Sequence, residues 1–116
     1  MSHVYEMRMY SVAPGKMDAL LARFADHTEA IFKRYNMKTL GYWVPLENAK
    51  NLMIYIIEHE SLEAAEKNWQ DFGKDKEWQR VKAETDAEAP LVISIERYYM
   101  DKVDFSKIKN GISSKT

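Results

Sequence analysis

The chain has 116 residues, 46% hydrophobic and 30% charged, with 17 basic and 18 acidic side chains and a net charge of −1. That length suits one domain, which buries roughly 60–70% of the surface its unfolded chain exposes and so supports a modest core without staples. The even charge balance argues against a nucleic-acid binder, which carries a basic excess or stripe, and the absence of cysteine excludes disulfides, thiolate catalysis and cysteine–zinc sites. No apolar run approaches the roughly 20 residues of a membrane span. Residues 1–10 carry charges and lack the apolar region of a signal peptide, so a cytoplasmic protein is expected.

Residues 3–11 alternate and are rich in Tyr, Met and Val, which predicts a strand. Val4, Glu6, Arg8 and Tyr10 then share one face, and Tyr5, Met7 and Met9 the other. Pro14 and Gly15 break the chain. Over 16–35 the period lengthens. Met17, Leu20, Leu21, Phe24, Thr28, Ile31, Phe32 and Tyr35 recur at three- and four-residue steps, the apolar stripe of an amphipathic helix. Asp18 suits the positive end of its dipole, and Asn36 suits its end. Residues 37–44 are short, aromatic and closed by Pro45, and predict a second strand. A polar hairpin loop at 47–51 leads to a strongly apolar third strand, Leu52–His59. Ser61 is the N-cap of a second helical stripe (Leu62, Ala65, Trp69, Phe72) that Gly73 stops. Asp75 caps a further helical stretch carrying Trp78, Val81 and Thr85, and Pro90 bars its continuation. Residues 91–100 form a fourth strand. The domain is taken as 1–105 and the tail as 106–116, with 110–116 expected to be mobile.

The order is βαββαβ, with an extra helical piece in the second crossover. Right-handed crossovers then predict an α+β, ferredoxin-like fold: an antiparallel four-stranded sheet, first and third strands central, both helices on one face. The other face is left open. It is expected to carry Glu6, Arg8 and Tyr10, with Met53, Tyr55 and Ile57 from the third strand. The fourth strand adds Val92, Ser94, Glu96 and Tyr98. The helix side receives Leu52, Ile54 and Ile56 with Leu91, Ile93 and Ile95. An open face holding so many large rings and aliphatic groups calls for a cover. The obvious cover is a second copy, so a homodimer is expected.

Several dispersed segments carry a family resemblance. Tyr5-Glu6-Met7-Arg8-Met9-Tyr10 followed by Ala13-Pro14-Gly15-Lys16 resembles the opening of the NIPSNAP family. Arg23-Phe24-Ala25-Asp26-His27-Thr28, Gly41-Tyr42-Trp43, Ser61-Leu62-Glu63-Ala64, Trp69-Gln70-Asp71-Phe72, Asp75-Lys76-Glu77-Trp78 and Asp104-Phe105-Ser106 resemble it in the same order, so the likeness spans almost the whole chain. Lys107 and Asn36 depart from it, where Pro and Gly are common, and both touch only turn geometry. The resemblance implies a dimeric α/β barrel built from two ferredoxin-like chains. That architecture includes cofactor-independent monooxygenases, isomerases, haem-degrading enzymes and non-catalytic proteins, so it does not choose a reaction.

Glu6 and Arg8 lie two apart on one strand and need partners wherever they are covered. They make either a structural ion pair, joined by Glu96 of the neighbouring strand, or an anion grip in which Arg8 holds a substrate carboxylate bidentately. His27 borders the first helical stripe, either as a hydrogen-bonded boundary residue or as a general base or haem ligand. Trp69, Phe72 and Trp78 have the spacing of largely buried core and interface anchors. Tyr10, Tyr55, Trp43 and Tyr98 line an aromatic cavity or pack a dimer seam. The candidate binding set is Glu6, Arg8, Tyr10, Tyr55, Glu96 and Tyr98. No metal-ligand spacing, phosphate loop or nucleophile elbow occurs, and no cofactor is implied. The third strand lacks the Lys/Arg-Gly-aromatic pattern of RNA-recognition motifs. Two functions remain: a small-molecule enzyme or binder, or a homodimeric interaction protein whose barrel is only a core. A cavity of a few hundred Å³ with converging polar groups separates them.

Overall fold

The computed structural model describes residues 3–106, with the backbone of 108–109 and 112–113. Four strands form one antiparallel sheet: β1 (Val4–Val12), β2 (Lys38–Trp43), β3 (Leu52–His59) and β4 (Val92–Met100), in the order β2-β3-β1-β4. β1 and β3 are central, as the strand–helix order requires. The first crossover holds α1 (Met17–Arg23) and α2 (Glu29–Arg34), joined by a π-helical turn at Phe24–Thr28. The second holds α3 (Leu62–Gly73) and α4 (Lys76–Thr85). The fold is α+β and ferredoxin-like. Among the described residues no helix is long and apolar enough to cross a membrane. Two short strands, β5 (Ile108–Lys109) and β6 (Ile112–Ser113), pair with each other beyond the sheet. The rest of the expected mobile end, 110–116, lies outside the described residues.

Local chemistry sets the element ends. The Ala64 amide donates to Ser61 Oγ at 3.0 Å, and the Trp78 amide donates to Asp75 Oδ1 at 2.8 Å. Each cap satisfies a first-turn donor that the helix cannot, worth about 1 kcal/mol. Asn36 at φ 60° and Gly15 at φ 75° take the left-handed conformation that the turns after α2 and before α1 need.

The sheet's alternation is as expected on β1, but the helices cover the opposite face. Glu6, Arg8 and Tyr10 pair with Ile57, Tyr55 and Met53, and this whole set faces the helices. The bare face carries Tyr5, Met7 and Met9 with Ile54, Ile56, Trp43 and Tyr98. β3 is apolar in both phases, so its pattern does not choose a side. The rings choose. Tyr55 is wholly buried among Phe24, Phe32, Tyr10 and Tyr42, with centroids 5.1, 6.0, 5.4 and 5.3 Å away. On β4 the register shifts between Ser11 and Val12, which leaves Ile93 as the extra residue of a bulge. Val92 therefore pairs with Val12 on the helix side, while Ser94, Glu96 and Tyr98 stay on the bare face.

Candidate functional site

Burying the charged phase of β1 requires that every charge find a partner. Glu6 is fully buried and satisfies three groups at once. Its Oε1 accepts from His59 Nε2 and from Trp69 Nε1, both at 2.8 Å, and its Oε2 accepts from Arg8 Nη1 at 3.0 Å. Arg97 Nε lies 3.9 Å from Oε2. Burial pushes the Glu6 carboxyl up, but the hydrogen bonds from His59, Trp69 and Arg8 and the guanidinium charge outweigh it, and the carboxyl lies below its ordinary value. An ionised carboxylate only accepts, so His59 carries its proton on Nε2. Its Nδ1 is buried and has no partner among the described residues.

Beyond Glu6, Arg8 meets the aromatic groups around it. Its guanidinium stacks over Trp69 at 4.2 Å, and its Nε reaches the Tyr10 hydroxyl at 3.4 Å. The Tyr10 and Tyr55 hydroxyls are 2.7 Å apart and bond to each other. Arg8 and Tyr10 open onto a cleft of about 520 Å³ between the helices and the β1–β4 edge. Phe24, Phe32, Phe72, Trp69 and Trp78 form much of its wall. Phe72 is buried, and Trp69 and Trp78 are partly buried against the core. Both tryptophans pack against the core with Phe72 between them, as expected, and the surface they leave open is cleft wall.

The expected binding set therefore divides. Arg8 and Tyr10 line the cleft; Glu6 lies beneath Arg8 and Tyr55 behind Tyr10. The expected open-face position of these four is corrected to the helix-covered face, because their polar atoms pair with one another and with His59 and Trp69. Glu96 and Tyr98 project from the bare face, away from the cleft, so Glu96 does not join the Glu6–Arg8 pair and Arg97 stands there instead. His27, in the π turn, does not line the cleft. Sequence reasoning passed over Arg23, His59 and Arg97. The last two share the side-chain phase of Glu6 on their own strands, which is the signal that could have found them.

A second cleft, of about 560 Å³, opens at the other end of β3 between His3, Lys33, Lys38, Glu58 and Glu60. It is slightly larger, but its charges are mixed and it lacks an aromatic wall. Among the described residues no group of three or more His, Cys, Asp or Glu side chains could hold a metal ion.

The NIPSNAP family model matches residues 5–107. Comparison with the curated proteins returned no match. Among solved structures, the chain is similar to a NIPSNAP family protein from Agrobacterium tumefaciens, with a TM-score of 0.82, 22% identity, and 93% of this chain and 92% of that one covered. It is also similar to a NIPSNAP-like domain protein from Burkholderia xenovorans, with a TM-score of 0.80, 19% identity, and 90% and 89% covered. A monooxygenase from Streptomyces coelicolor, solved with the ligand nanaomycin D, aligns with a TM-score of 0.63, 12% identity, and 88% of each chain covered. At these identities the likeness is one of fold.

Proposed function

The chain belongs to the NIPSNAP family, and from that premise we propose that it binds a small aromatic or apolar carboxylate in the helix–sheet cleft, for storage or for chemistry on it. The observation that carries this is Arg8. Its guanidinium is held by Glu6 and Trp69, yet it lines an aromatic cleft of about 520 Å³. That volume and composition are those of a small-molecule site, with few polar groups placed to orient the ligand. The related fold of the Streptomyces monooxygenase, which was solved with a small molecule bound, supports the same reading. The ligand would sit behind the sheet, within one chain, and not between two sheets.

Native mass spectrometry of the purified protein should reveal a co-purified small molecule, and titration calorimetry with naphthoate should give saturable binding. Arg8→Met keeps the bulk of the stem and removes the charge. It should weaken naphthoate by about 2 kcal/mol or more, as expected for a lost charge-assisted pair. Unchanged affinity in a variant that melts cooperatively would remove Arg8 from the site.

A structural reading of the same residues rests on the Glu6 network, in which both carboxylate oxygens are satisfied without a ligand. It predicts no binding of any aromatic carboxylate and a large loss of stability in Arg8→Met.

We also propose that two copies close over the bare face. Trp43 and Tyr98 stand 50% and 49% exposed there, on a face that otherwise carries Met7, Met9, Ile54 and Ile56. Obligate interfaces of this kind commonly bury on the order of 2,000 Å² or more. Light scattering after size exclusion should give twice the chain mass of 13.6 kDa. A stable particle of one chain mass at micromolar concentration would sink the idea. The cleft lies on the other side of the sheet, so dimerisation and ligand binding are separately testable.

A further inference from the structure

The cleft wall is a ladder of rings with a cation at each end. Arg8 stacks on Trp69 at 4.2 Å, Trp69 meets Phe72 at 5.5 Å, Phe72 meets Trp78 at 4.9 Å, and Arg23 lies 5.3 Å from the Trp78 ring. Arg23 is the second unusual group. Its side chain is only 5% exposed, it lines the same cleft, and its Nε has no partner among the described residues. Its Nη1 donates to Thr85 Oγ1 at 3.0 Å and to Asp86 Oδ1 at 3.1 Å. A buried donor left unpaired is costly and asks for a partner from outside the chain.

Charge follows the same pattern at both ends. Glu6 is shared by Arg8 at 3.0 Å and Arg97 at 3.9 Å. Asp86 is shared by Arg23 at 3.1 Å and Lys82 at 3.0 Å. One carboxylate between two cations leaves one positive charge at each end. Of the described side chains that line the cleft, Arg8, Arg23 and Lys82 are cationic and Asp86 alone is anionic. Between the ends the wall is aromatic, suited to the face of a flat ring system.

We propose that the cleft takes a flat aromatic molecule bearing an anionic oxygen group, carboxylate or phenolate, at each of two opposite ends, with Arg8 holding one and Arg23 the other. The inference rests on the binding reading above and narrows it from one anionic group to two. Arg8 anchors the end beside the Glu6 network. Arg23 and Lys82 take the end beside α4, where Arg23 Nε supplies the unused donor. A molecule with one anionic group fills the Arg8 end and leaves the charge at the other end to solvent.

The test is titration calorimetry of the full chain with naphthalene and biphenyl dicarboxylates whose acid groups lie at opposite ends, each against its monocarboxylate. At least one diacid should bind about tenfold or more tightly than its monoacid, the scale of one additional charge-assisted contact. Arg23→Met should erase that preference and leave the monoacid within about threefold of its wild-type affinity, since only the second contact is lost. Arg8→Met should weaken both. Lys82→Gln, at a side chain 56% exposed, should reduce the preference in part and covers the case in which Arg23→Met does not fold. If monoacids bind through Arg8 and diacids gain nothing, or if the preference survives both substitutions at the α4 end, the two-ended site is wrong and the simpler reading stands. If no aromatic acid binds, both fall. If Arg23→Met only lowers the melting temperature while the preference persists, Arg23 is a tie between α1 and α4.

Discussion

Replacing Glu6 with Ala should destabilise the protein by about 3–5 kcal/mol, the scale of removing one partner from a buried ion pair. The effect is large because one carboxylate serves three donors. Without it the Arg8 guanidinium keeps only the Tyr10 hydroxyl, and the Nε2 of His59 and Nε1 of Trp69 lose their acceptor inside the core. Glu6→Gln keeps the shape and one acceptor oxygen, so it should cost less. Acid separates the two contributions. The Glu6 carboxyl lies below its ordinary 4.5 in the folded protein, so the stability it adds is complete above that pH and is lost as pH falls through the folded-state value. The same sign applies to Asp86, where burial is outweighed by Lys82, the Leu91 amide and Arg23, and to Asp75, which burial would raise but which Tyr35, the Trp78 amide and Arg34 hold down at about 2. The wild type should therefore weaken progressively below pH 4.5, and Glu6→Gln should do so less steeply. Urea unfolding at neutral pH and at several acid values measures both. A Glu6→Ala protein within about 1 kcal/mol of the parent at neutral pH would show that the network adds little.

Phe32→Ala should cost about 3–5 kcal/mol as well, through the cavity left by a large ring. Phe32 is 1% exposed and touches the core and the cleft together. Its centroid lies 5.0 Å from Phe72, 5.6 Å from Trp69, 6.0 Å from Tyr55 and 6.2 Å from Phe24. Trp69 stands edge-on against it, so truncation also frees the ring on which Arg8 rests. The stability loss should be accompanied by weaker naphthoate binding, although Phe32 carries no charge. Equilibrium unfolding decides the first effect and calorimetry the second. A loss below about 1 kcal/mol would mean that α2 and α3 repack over the gap.

Element order, strand pairing and both second-crossover caps were legible because each has a local cause. Alternation marks the strands, and Ser61 and Asp75 stand where first-turn amides need acceptors. The sheet's two faces were not legible, because the deciding facts are long-range. β3 is apolar in both phases, so its pattern is silent. The charges of Glu6 and Arg8 point outward on any rule that treats residues singly. They go inward because His59, on another strand, and Trp69, on a helix after it, arrive to bond them. Arg8 drew notice for a reason that outlasted the error: a charge on a central strand needs a partner whichever side it faces. Arg23 was missed because the groups it meets, Trp78 and Asp86, lie far along the chain.

The π-helical turn at Phe24–Thr28 bears on how this helix can be aligned with others. Nine positions separate Arg23 from Phe32, and on a regular helix of 3.6 residues per turn they would point about 180° apart. Both nevertheless line the cleft. A π turn acts as one inserted residue and brings the two halves of the helix back into phase. A relative whose first helix is regular therefore matches this one only across a one-residue gap within 24–28. A gap placed before the helix instead would set a neighbour of Arg23 opposite the true equivalent and hide whether that arginine is kept.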